Sequence, residues 1–321
     1  MWIHFALFAT LLLPAALLGL RGRAGRRGSP VLLGVAFVAF VAFSSLRAVS
    51  VGNDTVEYHR VFKAIAATDS FQEALSVSRF ESGYVLVNYL VSRLTQDFNL
   101  LLLITSVFVY GSAVLFIKRY AASYYLALLF AFGMSVFYDL MLAVRQGIAV
   151  AIFLLAVPAL MERKLVRYVL LVVLASQFHV RVLLMLVVYL IPYMRLSTFG
   201  DWFKWGALIG IVMFSLSWLL TRLLVSSAYY GHYLHSDYAD GGVRSATVLL
   251  IVTRIILMLL AATCGWNASV EADPSGRTRN LLALAVTDVA LVVIALGFNL
   301  LYRIEMYLTL PFAVGLANLA A

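Results

Sequence analysis

Residues 98–117 contain not one charged side chain, and neither do residues 30–46 or 146–161. Runs of this length decide the solvent before anything else is asked. A helix of about 20 apolar residues crosses the hydrocarbon layer of a bilayer, whereas a barrel strand needs only about 10 and alternates apolar with polar positions. These runs are rich in Leu, Val and Ala without a period of two, so they read as helices. Only 12% of the 321 residues are charged and 64% are hydrophobic, against ~25% charged in an ordinary soluble domain. No aqueous fold could bury so much apolar surface. The expected fold class is all-α: a polytopic integral membrane protein, one transmembrane domain over residues 1–321.

Spans are expected near 2–20, 30–49, 98–117, 121–139, 146–161, 165–178, 180–194, 204–224, 246–265, 281–300 and 306–320, about eleven transmembrane helices. The pairs meeting around Arg145 and around His179 leave little room for loops, and each also reads as one longer or broken helix. Arg21–Arg27, Lys118/Arg119, Arg163/Lys164/Arg167, Arg195/Lys204 and Arg277/Arg279 then fall on one side. Basic loops stay in the cytoplasm, which fixes that side. The run Trp2–Leu20 has its positive charges after it, so it reads as a retained first span rather than a signal peptide. No soluble domain is expected at either end. The net charge of +9 reflects this sidedness, and no nucleic-acid partner is expected. A single cysteine, Cys264, excludes intrachain disulfides and cysteine-based metal sites and reads as a small core residue.

The opposite, extracytoplasmic side is different in kind. Its longest loop, 50–97, holds Asp54, Glu57, Tyr58, His59, Arg60, Glu81 and Arg93. Within it Glu81, Tyr84, Asn88 and Ser92 recur at helical spacing, with Val85, Leu86, Tyr89 and Leu90 mostly off that stripe. This is an outer amphipathic helix lying on, or dipping into, the outer leaflet. A second outer loop, 226–245, is rich in tyrosine and histidine, suited to the interface or to a sugar face.

Several polar residues stand where apolar ones cost less. Arg145-Gln146 opens a span; an ionisable group there is a functional candidate, or an arginine snorkelling to the interface, though Gln146 has no snorkelling role. His179 interrupts an apolar run between Gln177 and Arg181, where a satisfied core histidine is the alternative. Arg303 and Tyr307, four apart, share a helical face, while Glu305 points elsewhere or forms a local pair with Arg303. Asp54 opens a helix-like stretch and is either a cap or a reactive carboxylate. Asp288, an acid at depth, is expected to pair within the bundle. Arginine forks bind phosphate bidentately, and a carboxylate or imidazole takes a proton from an attacking hydroxyl. With no convincing metal-ligand spacing, no metal and no cofactor are expected. The set suits an anionic lipid-linked substrate.

In order, Gly52-Asn53-Asp54-Thr55-Val56-Glu57-Tyr58, Glu81-Ser82-Gly83-Tyr84, Val144-Arg145-Gln146-Gly147-Ile148-Ala149, Ala175-Ser176-Gln177-Phe178-His179 and Arg303 with Tyr307 resemble the EpsG-type family of Wzy-like polysaccharide polymerases. The resemblance runs from about residue 50 to 307. It implies a bacterial inner-membrane glycosyltransferase of exopolysaccharide, capsule or O-antigen assembly, acting on the periplasmic face. Undecaprenyl-diphosphate-linked oligosaccharide repeats would be its substrates, with membrane lipids and a chain-length regulator as partners. Carried over by position, Asp54, Glu81 and His179 become catalytic candidates and Arg145, Gln146 and Arg303 diphosphate-binding ones. Tyr58, Tyr84, Arg181 and Tyr307 would line the substrate, Arg181 standing where a small residue is expected. The rival readings are a flippase of lipid-linked sugars, an O-antigen ligase and, more distantly, a membrane acyltransferase. A flippase would spread its polar groups through the bundle or near the midplane.

Overall fold

The computed structural model describes residues 9, 28–52, 54–194, 199–225, 245–263, 276–294 and 303–321. Among them every regular element is a helix. In chain order these are α1 (Pro30–Ser45), α2 (Thr55–Ala66), α3 (Phe71–Ser76), α4 (Ser82–Ser92), α5 (Phe98–Tyr120), α6 (Tyr124–Gly133), α7 (Val136–Leu142), α8 (Val144–Met161) and α9 (Leu165–Ser176). They continue with α10 (Val180–Tyr193, wound as a 3-10 helix), α11 (Phe199–Val225), α12 (Ser245–Thr263), α13 (Arg277–Ile294) and α14 (Met306–Ala320).

Local chemistry sets several of these boundaries. Ser29 accepts from the Val31 N–H ahead of Pro30, starting α1 with a side-chain cap and a ring whose missing N–H costs nothing there. Asp97 caps α5 through the Asn99 N–H at 2.9 Å, and Lys118 and Arg119 complement the dipole at its far end. The run expected as one span over 121–139 is instead broken. Its halves, α6 and α7, meet at a 60° bend, where Ser135 holds the left-handed conformation at φ 62° and interrupts the helical ladder. The turns around Arg145 and His179 are true breaks as well. Only Ala143 separates α7 from α8, and His179 is extended between α9 and α10.

Helix α8 is the axis of the bundle. It packs against α5, α9, α10 and α14, and 78% of its spanning window is buried, compared with 56% for α5. Around this core α1 lies on α5, α11 on α13, and α13 on α14. Helices α2 to α4 form a small cap with a core of its own, Val61 and Ile65 of α2 against Ala74 and Val85. Facing outward, Val166, Leu170, Phe203 and Leu249 are each exposed by more than three-fifths; an apolar surface of this kind belongs in lipid. Helices α5 and α8 are long and apolar enough to cross a membrane and the bent α6–α7 pair makes a third candidate, while α1, α9, α10, α14 and part of α12 are shorter apolar helices.

The bundle has two unlike ends. At one, Glu162 at the close of α8 pairs with Arg119 at 3.2 Å and with Lys164 at 2.8 Å. The other carries the starts of α5, α8 and α14, the close of α9, and the cap. The Tyr/His-rich loop 226–245 lies outside the described residues apart from Ser245, as do Arg21–Arg27, Arg195 and Cys264.

Candidate functional site

The cap is fastened to the bundle at a point where a side chain would not fit. The Gly83 N–H donates to the Gln177 carbonyl at 2.9 Å, and Ser82 Oγ donates to Gln177 Oε1 at 3.0 Å. A Cβ on Gly83 would stand 2.7 Å from that carbonyl oxygen, so the approach requires glycine. It delivers Glu81 to the start of α10, where the Val180 N–H donates to Glu81 Oε1 at 3.2 Å. The second Glu81 oxygen holds the guanidinium of Arg145, which also lies 4.1 Å from the centre of the Phe80 ring.

From Arg145 the network continues along the chain. Gln146 donates its side-chain amide to the Arg303 carbonyl, tying the first turn of α8 to the entrance of α14. The Arg303 guanidinium in turn pairs with Asp54 at 2.9 Å. Asp54 makes no capping bond to α2; its carboxylate faces Arg303 instead. Ahead of it Gly52 sits at φ +91°, where an added Cβ would run into Leu142, and this turn starts α2 towards the bundle. On the other flank His179 Nδ1 and the Tyr307 hydroxyl are 2.9 Å apart. Asp54, Arg303, Gln146, Arg145 and Glu81 thus form one run of contacts, and the His179–Tyr307 pair adjoins it through the Val180 N–H held by Glu81.

The two ion pairs differ in access. The Arg145 and Glu81 side chains are 16% and 15% exposed, those of Arg303 and Asp54 40% and 29%. Behind them Tyr58, Phe80 and Tyr84 form a ring cluster, with centroids 5.6 to 5.7 Å apart. Burial pushes the Tyr58 phenol up, so it is a neutral hydrogen-bonding wall. In the turn between α9 and α10, burial and then the charges of Arg145, Arg181 and Arg303 hold the His179 imidazole well below its usual range. It is therefore neutral near pH 7. Arg181 is half-buried, and its charge is one of those near His179. Glu305 points away from Arg303.

Two arginines escaped the sequence reading. Arg47 follows α1 and is 93% buried, being 7% exposed; it was absorbed into an apolar run as an ordinary span end. Arg254 of α12 is 1% exposed. It pairs with Asp288 of α13 and, at 2.7 Å, with Glu305. Asp288 thus pairs within the bundle as its depth demands. The available signal for Arg254 was a lone charge in the run 245–263, as costly as the others in a bilayer. Among the described residues no group of three or more His, Cys, Asp or Glu side chains is arranged to hold a metal ion.

A family model described as the EpsG family matches residues 31–319, a stretch that contains the whole network and both of these arginines. The chain belongs to the EpsG family. No curated protein and no solved structure matches it. Membership and the apolar helices together make this a membrane-embedded protein, and EpsG membership points to a polymerase-like, glycosyltransferase-like role in exopolysaccharide synthesis.

Proposed function

We propose that this chain is a polysaccharide polymerase of the bacterial inner membrane that joins undecaprenyl-diphosphate-linked oligosaccharide repeats on the periplasmic face. About eleven spans, with 50–97 and 226–245 as extracytoplasmic loops, would put the cap and its network on that face by the positive-inside rule. The observation that carries the reading is the joining of two arginine–carboxylate pairs, Arg145–Glu81 and Arg303–Asp54, through Gln146. Each pair couples an anion-binding fork to a proton acceptor.

The reaction follows from that coupling. A donor diphosphate entering at the more exposed pair competes with Asp54 for Arg303. Phosphate oxygens take the guanidinium, and the Asp54 carboxylate is released as a general base beside the bound donor. The acceptor hydroxyl attacks the donor's anomeric carbon and gives its proton to Asp54. The bond from that carbon to the diphosphate oxygen breaks, and Arg145 and Arg303 stabilise the charge left on the departing lipid diphosphate. Glu81 and neutral His179 are the alternative bases. Glu81 is the more firmly held, since it also accepts from the Val180 N–H. Tyr58, Tyr84, Arg181 and Tyr307 would line the substrate. A chain-length regulator and surrounding lipids complete the proposed partners.

The test is polymerisation of a lipid-linked repeat by the purified protein. A ladder of lengthening lipid-linked chains is expected from the native enzyme. Replacing both Arg145 and Arg303 by alanine should remove it, and Asp54→Asn should slow it by about 100-fold or more, the lower range for general-base catalysis. Full activity in the double variant would sink the phosphate-binding roles. Transfer to a lipid A core instead would make the protein a ligase, and translocation without bond formation a flippase.

A further inference from the structure

Arg47 is a buried cation with no counter-charge among the described residues. One guanidinium nitrogen, Nη1, donates to the Ser44 carbonyl at 2.5 Å and to Ser44 Oγ at 3.1 Å, and Ser106 Oγ steadies Ser44 Oγ at 2.7 Å. The other two nitrogens, Nε and Nη2, are buried without a hydrogen-bond partner among the described residues. None of the ion pairs among the described residues includes it. The ionisable groups facing it are the phenols of Tyr110, Tyr84 and Tyr58, all neutral near pH 7. A buried charge with no partner is among the costliest features a fold carries.

The same tyrosines lead to the site. Tyr58 lies within the field of Arg145, Asp54 and Arg303, and Tyr84 within that of both Arg145 and Arg47. Tyr58 and Tyr84 meet edge to face at 5.7 Å. Arg47 and Arg145 therefore both bear on Tyr84, in the aromatic cluster whose other member, Phe80, is covered by Arg145. The charge count gives this position its meaning. Arg145 and Arg303 are each neutralised by a carboxylate, so those pairs add no net positive charge for an arriving anion. Arg47 does.

We propose that Arg47 is a third anion-binding arginine of the site, kept without a carboxylate so that a diphosphate ester entering against Arg145 and Arg303 becomes its counter-charge. This rests on the diphosphate reading above and deepens it. Arg47 acts by its charge through the Tyr58–Tyr84 wall, as a positioning residue. The prediction is specific to charge: Arg47→Lys keeps the effect and Arg47→Gln loses it.

The probe is inorganic pyrophosphate, with binding to the full-length protein in detergent followed by calorimetry at low salt. Arg47→Gln should bind about tenfold more weakly, the size expected of one unpaired charge acting across the tyrosine wall, while Arg47→Lys stays within a few-fold of the native protein. Equal binding by native protein and Arg47→Gln would overturn the proposal. Should Arg47→Gln fail to fold, the native protein with 15N-labelled arginine still decides the matter. The Arg47 Nε resonance, assigned through Arg47→Lys, must move as pyrophosphate is added, and a resonance that stays in place while the anion binds overturns it. Native protein that binds no pyrophosphate overturns it too. Charge-dependent binding without polymer synthesis would instead leave Arg47 an anion-site residue and defeat the polymerase reading alone.

Discussion

Two of the molecule's arginine–carboxylate groups use the same pairing in opposite ways. In the cap network each guanidinium has one carboxylate and the side chains are 15 to 40% exposed. Between α12, α13 and α14 a single guanidinium, Arg254, serves two carboxylates, Asp288 and Glu305, and none of the three is more than 2% exposed. Thr309 adds a contact to Arg254 at 3.3 Å. The first arrangement is partly open to solvent, which is what the proposed exchange of a carboxylate for a phosphate requires. The second is sealed from solvent, and its charges are bound to one another while the helices stay packed. The same residue types thus give a partly exposed pair of ion pairs in one place and a buried fastening in the other.

Breaking the fastening should have the largest effect of any single change. Arg254→Leu leaves Asp288 and Glu305 buried together without their cation, and loss of one partner from a buried pair costs about 3–5 kcal/mol. Thermal or denaturant unfolding in detergent should show that loss, with activity falling only as folded protein is lost. Unaltered unfolding would mean that the cluster is solvated and that the contrast with the cap network is false.

Arg145→Gln tests the other half of the comparison. Removing one electrostatic stabiliser of a leaving group lowers turnover by about 100- to 1000-fold, or ~3–4 kcal/mol at the transition state. Stability should fall by less than in Arg254→Leu, because this pair is 15 to 16% exposed and Glu81 keeps the Val180 N–H. A variant that melts as early as Arg254→Leu would show Arg145 to be a fastening too.

What could be read from the sequence follows the same divide. Apolar length gave the membrane class and most helix positions, because hydrophobicity is local and needs no partner to be recognised. The polar residues of the cap network stood out because each interrupts an apolar run or crowds a loop. Their pairing was hidden: that Arg303 meets Asp54 and Arg145 meets Glu81 depends on the Gly83–Gln177 fastening and the Gln146 link, contacts spanning 94 to 157 positions. The stripe Glu81, Tyr84, Asn88, Ser92 was visible, but not the way it faces. Tyr84, Asn88 and Ser92 are buried in the protein, while Leu86 and Leu90 of the same helix are exposed. In lipid the inside-out arrangement is the cheaper one, since the apolar side chains need no protein to cover them. Arg47 and Arg254 were passed over because a single charge in a long apolar window barely changes its average.

A weaker test of access uses pH. His179 titrates below its usual 6.5 in the folded protein because of burial and the neighbouring arginines. Between the folded and unfolded values the unfolded chain binds more protons, so stability rises with pH across that window. As pH falls below about 6.5, the native protein should lose stability until the folded value is passed, and His179→Gln should lose less. Parallel pH profiles for the two proteins would place His179 in contact with water, contrary to its burial beside Tyr307.

The smallest expected effect is at Glu57, which receives two hydrogen bonds from Arg60, at 2.8 Å each, and one from Arg79 at 3.2 Å on the cap surface. The Arg60 bonds hold its carboxyl below the usual range, with Arg79 adding to the effect. Any stabilisation from a lowered carboxyl is present above its unfolded value and lost as pH falls through the folded one. Here the side chain is 29% exposed and its partners more so, so solvent screening leaves ~0.5 kcal/mol at most. Glu57→Gln should therefore unfold almost with the native protein near pH 7, and raising the salt to about 1 M should erase even that difference. A loss several times larger would mean that surface ion pairs hold the cap rigid, and the easy release of Asp54 from Arg303 could no longer be argued from exposure.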